Sequence, residues 1–166
     1  KIRFLGATSH NHPELIRILE HYDEIDVIMG GMNIMGGHYY FNGDARLLND
    51  YARRHNLGIL SMKPFLMGAL TKNHDAALRY VMTQPDVVPI PGFTEPAHVA
   101  GDIRTAREFS ALSPGEQKRW EQPETLLDGP ACTGCRYCMQ DETVDIDIPQ
   151  LVMAAQYGER FGLKEW

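Results

Sequence analysis

The sequence predicts a parallel α/β architecture, and three observations carry that prediction. Short apolar runs closed by Gly or Pro alternate with stretches of helical periodicity, the pattern of buried strands and their covering helices. Four such strand-then-helix units recur at intervals of roughly 25 to 33 residues, the length of a βαβ repeat. Polar or Gly-rich sequence follows each apolar run, in "TSHNH", "GGMN", "MKPFLMG" and "PGFTEP".

The first strand is "IRFLGA" at 2–7, closed by a glycine. Asn11 or His12 then caps a helix with Pro13 at its first position, and Leu15, Ile18, Leu19 and Tyr22 repeat along one face. "IDVIMG" at 25–30 is the second strand, and the helix at 44–56 ends on Asn56-Leu57-Gly58, which suits a C-cap. The third strand is "GILSMKPF" at 58–65, with its helix at 74–84. "VVPIPGF" at 87–93 is the fourth, and its helix starts at Thr94, with Pro96 in the first turn, and runs toward Phe109.

Two architectures share this rhythm, an open doubly wound sheet and half of an eight-stranded (β/α)8 TIM barrel. No G-x-G-x-x-G follows the first strand, so the phosphate fingerprint of the first is missing. A full barrel takes about 250 residues, and half a barrel over 1–112 is the simplest account of this chain. A helical extension over 113–166 follows. Ser113 and Glu116 stand in capping-box register at its start, and Pro149 opens a last helix that Gly162 ends.

The whole chain has 166 residues, 16 Lys and Arg against 22 Asp and Glu, and a net charge of -6. That balance excludes a nucleic-acid surface, which needs clustered cations. "ARRH" at 52–55 is the densest basic group and reads as the solvated face of a helix. No apolar run approaches a membrane span and no signal peptide opens the chain, so a cytoplasmic protein is expected. The start at Lys1, directly in a strand-like run, reads as a piece of a longer protein.

The extension carries "CTGCRYCMQDETVDIDIP" at 132–149, with Cys132, Cys135 and Cys138 spaced C-x2-C-x2-C. Three cysteines within seven residues make poor disulfide geometry, and an odd number leaves one over. The same spacing opens the bacterial ferredoxin ligand run, whose next ligand is a cysteine followed by proline. Here Met139 to Thr143 stand there instead, and Asp141 or Glu142 could supply an oxygen ligand. Zinc is the competing metal, but a structural zinc site closes with four ligands and no histidine lies within twenty residues of the run. Incidental thiols are the remaining reading.

Taken in order, "IRFLGATSH", "DVIMGGMN", "GILSMKPFLMGAL", "VVPIPGFTEPAHVAGDI", "CTGCRYC" and "VDIDIPQLV" resemble the C-terminal half of an aldo/keto reductase, of the subgroup with a C-terminal ferredoxin-like iron-sulfur segment. The resemblance implies a TIM-barrel oxidoreductase that uses NADP or NAD to transfer hydride to or from a small carbonyl or alcohol. It also implies an iron-sulfur cluster, 4Fe-4S or 3Fe-4S, on the three cysteines, and an electron-transfer partner; the fourth iron could take Asp141 or Glu142, stand open or be lost, or the site could be a decayed one that binds nothing stably. The family's Tyr, Lys, Asp and His come from the first four strands, so no catalytic residue is assigned here and this polypeptide is not expected to turn over.

The cofactor-binding positions carry over one at a time. Ser9 and His10 stand where the family holds the nicotinamide carboxamide, and Asn33 matches an Asn beyond the sixth barrel strand. Met32 occupies the place of a stacking aromatic and Met29 that of a Gln. Lys63, Pro64, Phe65 and the backbone toward Gly68 correspond to the loop near the pyrophosphate, and Pro91 and Gly92 to the cofactor rim. Gly92, Phe93 and His98 replace the family's grips on the 2'-phosphate, which leaves the choice between NADP and NAD open.

Each position also has a plain reading. Ser9 and His10 could be satisfied loop polars, Asn33 a left-handed turn residue, and Met29, Met32, Met35 and Met62 packing. His12, His38, His55 and His74 read as surface residues. An alternative function is a non-catalytic iron-sulfur electron-transfer module scaffolded by the barrel remnant. Half a barrel exposes two sheet edges, which a homo-oligomer could cover.

Overall fold

The computed structural model describes residues 1–34, 45–119, 137–139 and 146–161. Its centre is a four-stranded, wholly parallel sheet: β1 (Gly6–Thr8), β2 (Val27–Gly31), β3 (Gly58–Met62) and β4 (Val87–Ile90), paired in chain order. The connections are α1 (His12–Leu19), α2 (Ala45–Arg54) and α3 (His74–Met82), and α4 (Pro96–Arg107) follows β4. Four strand-helix units paired in sequential order are consistent with part of a barrel wall.

The strands are shorter than the apolar runs that announced them, for identifiable reasons. Only Gly6 and Ala7 of the first run pair with β2, joined by Thr8 just beyond it; Ile2 and Phe4 lie exposed before them, at the sheet edge. Lys63 has φ 55, a conformation no strand continues, so β3 stops at Met62. Beyond Ile90, Pro91 has no N–H to donate, and β4 ends there. Pro89 sits inside β4, tolerable because β4 is an edge strand.

Local signals place the helix ends. Asn11 caps α1, its Oδ1 accepting the Glu14 N–H at 3.1 Å, and Pro13 follows in the first turn. Leu15 and Leu19 are buried, whereas Ile18 is at the margin and Tyr22 lies beyond the helix and exposed. The predicted apolar face is therefore one turn too long. At the end of α2, Asn56 is left-handed at φ 55 and the Leu57 N–H reaches the Ala52 carbonyl at 2.8 Å, while the Asn56 N–H bonds Arg53 at 3.3 Å. Those two bonds are a Schellman cap.

Two apolar clusters form the core, one between the sheet and its first two helices and one around α3. Leu15 and Leu19 of α1 and Leu48, Tyr51 and Ala52 of α2 close over Ile28 and Ile59 of the sheet. Phe65, Leu66, Ala69 and Leu70 meet Ala77, Leu78 and Leu112 around α3. Fully burying one such side chain contributes roughly 1.5 to 3 kcal/mol. Pairing Thr8 with Met29, Met29 with Leu60 and Leu60 with Val88 puts these four in a row on the opposite face. No described helix covers that face at β4, where Val88 is 58% and Ile90 40% exposed.

The extension supplies α5 (Pro114–Arg119), a single 3-10 turn over Tyr137–Met139, and α6 (Ile148–Phe161). Ser113 and Glu116 form the expected capping box: the Glu116 N–H donates to Ser113 Oγ at 3.3 Å, and the Ser113 N–H to Glu116 Oε2 at 2.8 Å. Glu116 also accepts from Arg79, which donates to Asp75 at 2.8 Å, and Asp75 accepts from Thr105 at 2.9 Å. One network thus ties α3, α4 and α5 together across the 112/113 boundary. Asp147 caps α6, accepting the Gln150 N–H at 3.1 Å just ahead of Pro149.

Arg79 first, then the two Ser113 donors, hold the Glu116 carboxyl at about 2, below its ordinary 4.5. A carboxyl depressed by folding stabilises the native state above its unfolded value and loses that contribution as it is protonated. Thermal melts between pH 6 and pH 2 should show wild-type stability falling below about pH 4.5 more steeply than in Glu116→Gln. Parallel acid profiles would refute the clasp.

Candidate functional site

Parallel pairing brings all four strand ends to one edge of the sheet, and most of the predicted site residues are there. Ser9 and His10 follow β1, Asn33 follows β2, Lys63 and Pro64 follow β3, and Pro91 and Gly92 follow β4. This edge is where α/β folds with parallel strands place their ligands.

The edge has a definite inner geometry. Lys63 Nζ stands 3.2 Å from His10 Nε2, bridging from the end of β3 to that of β1. β2 lies between them and ends in Gly31, which has no side chain, while a Cβ at Gly30 would run into Leu48 and His12 on the helical side. Desolvation lowers the pKa of Lys63; desolvation first, and then the Lys63 charge, lowers that of His10. A residue expected against the nicotinamide and one expected near the pyrophosphate therefore touch one another. Ser9 has a local bond, its Oγ accepting the Asn11 N–H at 3.0 Å just ahead of α1.

The loop after β3 is held from behind. Left-handed conformations at Lys63 (φ 55) and Leu66 (φ 49) bracket a turn closed by the Leu66 N–H on the Lys63 carbonyl at 3.0 Å. Such backbone costs free energy and persists where its surroundings enforce it. Pro64 is fully buried, and the Phe65 ring stacks on His74 at 4.3 Å between centroids. His74 in turn pairs through Nε2 with Asp102 of α4. Burial pushes the Asp102 carboxyl up, against the opposing pull of His74. Gly68, at φ 88, allows the chain to turn into the next segment.

Three expectations need correction. His12 is 1% exposed, not a surface residue; its Nε2 accepts the Gly31 N–H at 3.2 Å and so ties α1 to the end of β2. His74 is only partly exposed and carries the link to Asp102. Asn33 is fully buried and is not among the described left-handed residues, so the turn reading fails. Met32, 6% exposed, packs and offers no stacking face. Gly92 has open space where a Cβ would stand, so the rim there is unobstructed.

Sequence could have found His12, since positions 12, 15 and 19 repeat at helical spacing and share the buried face. Nothing local marks Phe65, His74 and Asp102 as a unit, nor Ser61, which is fully buried and donates to the Met32 carbonyl at 2.8 Å. Of the proposed cluster ligands, Cys138 is described, exposed in its 3-10 turn; Cys132, Cys135, Asp141 and Glu142 lie outside the described residues, as do Met35 and His38. Among the described residues no three metal-capable side chains converge, and no helix is long and apolar enough to cross a membrane.

No protein-family model and no curated protein matches the sequence. Among solved structures, the chain is similar to the aldo-keto reductase AKR11C1 of Bacillus halodurans in its holo form, with 16% identity and a TM-score of 0.58 over 79% of this chain and 52% of that one. The apo form of that protein gives 16% and 0.58 over 79% and 53%. The thermostable aldo-keto reductase Tm1743, in complex with the inhibitor epalrestat, gives 19% and 0.55 over 72% and 48%. The chain spans about half the length of these structures, and its parallel sheet and helices have the fold of that part of an aldo-keto reductase barrel.

Ser61→Ala should lower unfolding free energy by about 1 to 3 kcal/mol, because it leaves the buried Met32 carbonyl without its donor. Urea unfolding measures it; a change under about 0.5 kcal/mol would show that the bond does not hold β3 against the end of β2.

Proposed function

We propose that this chain is the cofactor-holding part of an NAD(P)-dependent oxidoreductase of aldo/keto reductase type, acting on a small carbonyl or alcohol and carrying an iron-sulfur centre. The observation that supports it most directly is the Lys63 cation at the carboxyl edge of a sheet folded like part of an aldo-keto reductase barrel. The open space at Gly92 and the donors on His10 and Lys63 suit a nicotinamide dinucleotide. When bound, that group supplies the hydride.

In this reading Lys63 neutralises pyrophosphate charge while Pro64, Phe65 and Gly68 keep its loop in place. Ser9 keeps the loop ahead of α1 turned toward the edge, and Pro91 and Gly92 leave room at the rim. Asn33, wholly buried, shapes the end of β2 from inside. The uncovered sheet face at Val88 and Ile90 supports completion of the barrel by further strand-helix units, which would carry the groups that move the proton.

For the extension, Cys132, Cys135 and Cys138 would hold iron through thiolates, with Asp141 or Glu142 as an oxygen ligand. Cys138 is exposed in its turn, which leaves its sulfur accessible to a metal.

Two measurements test the two cofactors. Titrating NADPH and NADH into the chain should give binding weakened about 10- to 100-fold by Lys63→Met, the loss of one charge-assisted bond. With no basic grip at Gly92, Phe93 or His98, the two nucleotides should differ less than about tenfold; absence of binding by either would reject the reading. Anaerobic reconstitution with iron and sulfide should give a coloured cluster, EPR-active as formed if it holds three irons and after reduction with dithionite if it holds four, that Cys138→Ser disrupts; a colourless product would exclude it.

A further inference from the structure

We propose that His10 and Lys63 form a single anion cradle whose second cation is supplied by a proton on His10, so that a dinucleotide's pyrophosphate diester binds more tightly in acid. This deepens the cofactor reading and rests on it.

Lys63 Nζ and His10 Nε2, 3.2 Å apart, converge from the ends of two strands that are not neighbours in the sheet. In the neutral state the Lys63 ammonium donates to the unprotonated Nε2, a satisfactory bond that leaves one positive charge. Protonating His10 turns its Nε2 into a second donor facing a cation, an arrangement that is unfavourable until an anion stands between them. A phosphate diester has the oxygens to accept from both nitrogens.

The loop that carries Lys63 is held in place. The Lys63 backbone is fixed in the left-handed region, Pro64 beside it is fully buried, and Phe65 is stacked on His74 with Asp102 behind. His10 is anchored through the bond of Ser9 to Asn11 and the cap of α1. The described elements bring to His10 the Lys63 ammonium from the loop after β3, and two residues on stands His12 of α1, whose Nε2 is engaged by the Gly31 N–H. The end of β4 brings Pro91 and Gly92, which carry no charge.

The sign of the pH effect follows. Desolvation and Lys63 lower the pKa of His10 in the free protein. A bound anion raises it again, so binding takes up a proton and affinity increases as pH falls through the histidine range. Each unit by which the anion raises the pKa of His10 is tenfold in affinity.

The test is calorimetric titration of the full chain with ADP-ribose, whose diester pyrophosphate keeps its charge between pH 5.5 and pH 8. The expected result is about tenfold tighter binding at the lower pH, with proton uptake seen by comparing buffers of different ionisation enthalpy. His10→Gln should bind with an affinity that no longer changes with pH, and Lys63→Met should weaken binding at both. Wild-type affinity that is flat with pH, or a slope that persists in His10→Gln, overturns the cradle while leaving the cofactor reading intact. Failure of ADP-ribose and NADPH to bind, alongside sulfate binding that strengthens in acid and loses that slope in His10→Gln, supports the cradle and removes the dinucleotide. No binding by any of the three overturns both.

Discussion

Parallel pairing is the constraint on which the rest of this structure depends. Strands that all run one way need a crossover between each pair, so helices cover one face and every carboxyl end opens at one edge. From that follow the apolar cluster between the sheet and the first two helices, and the assembly of Ser9, His10, Lys63, Pro91 and Gly92 from three separate stretches of chain. The sheet also has a second face, and at Val88 and Ile90 its apolar side chains are open.

The candidate site combines a rigid backbone with responsive charge. Left-handed Lys63 and Leu66, buried Pro64 and the stack of Phe65 on His74 determine where the loop after β3 can go. Lys63 at the start of that loop and His10 after β1 hold one charge or two between them, depending on a proton. Rigidity behind and adjustable charge in front suit a place where an anionic ligand is held without the loop having to reorganise around it.

What was readable in the sequence was local. The Asn56 cap, the Ser113–Glu116 box and the Pro149 start each depend on residues within one turn of a helix, and each forms. Strand identity was legible from apolar runs, but strand ends were not, because Lys63 ends β3 through a backbone angle that composition does not encode. His12 was misjudged by residue type although its spacing with Leu15 and Leu19 placed it on the buried face.

The sequence by itself determined the order of elements, their caps, the strand-end loops that would hold the candidate residues, and the spacing of Cys132, Cys135 and Cys138. Only the tertiary structure decided that Lys63 meets His10, that His74 joins Phe65 to Asp102, and that Asn33 and Met32 turn inward. The reason is range. Periodicity and capping act over a few residues along the chain, whereas those contacts join residues far apart in sequence that become neighbours only once the strands have paired in register.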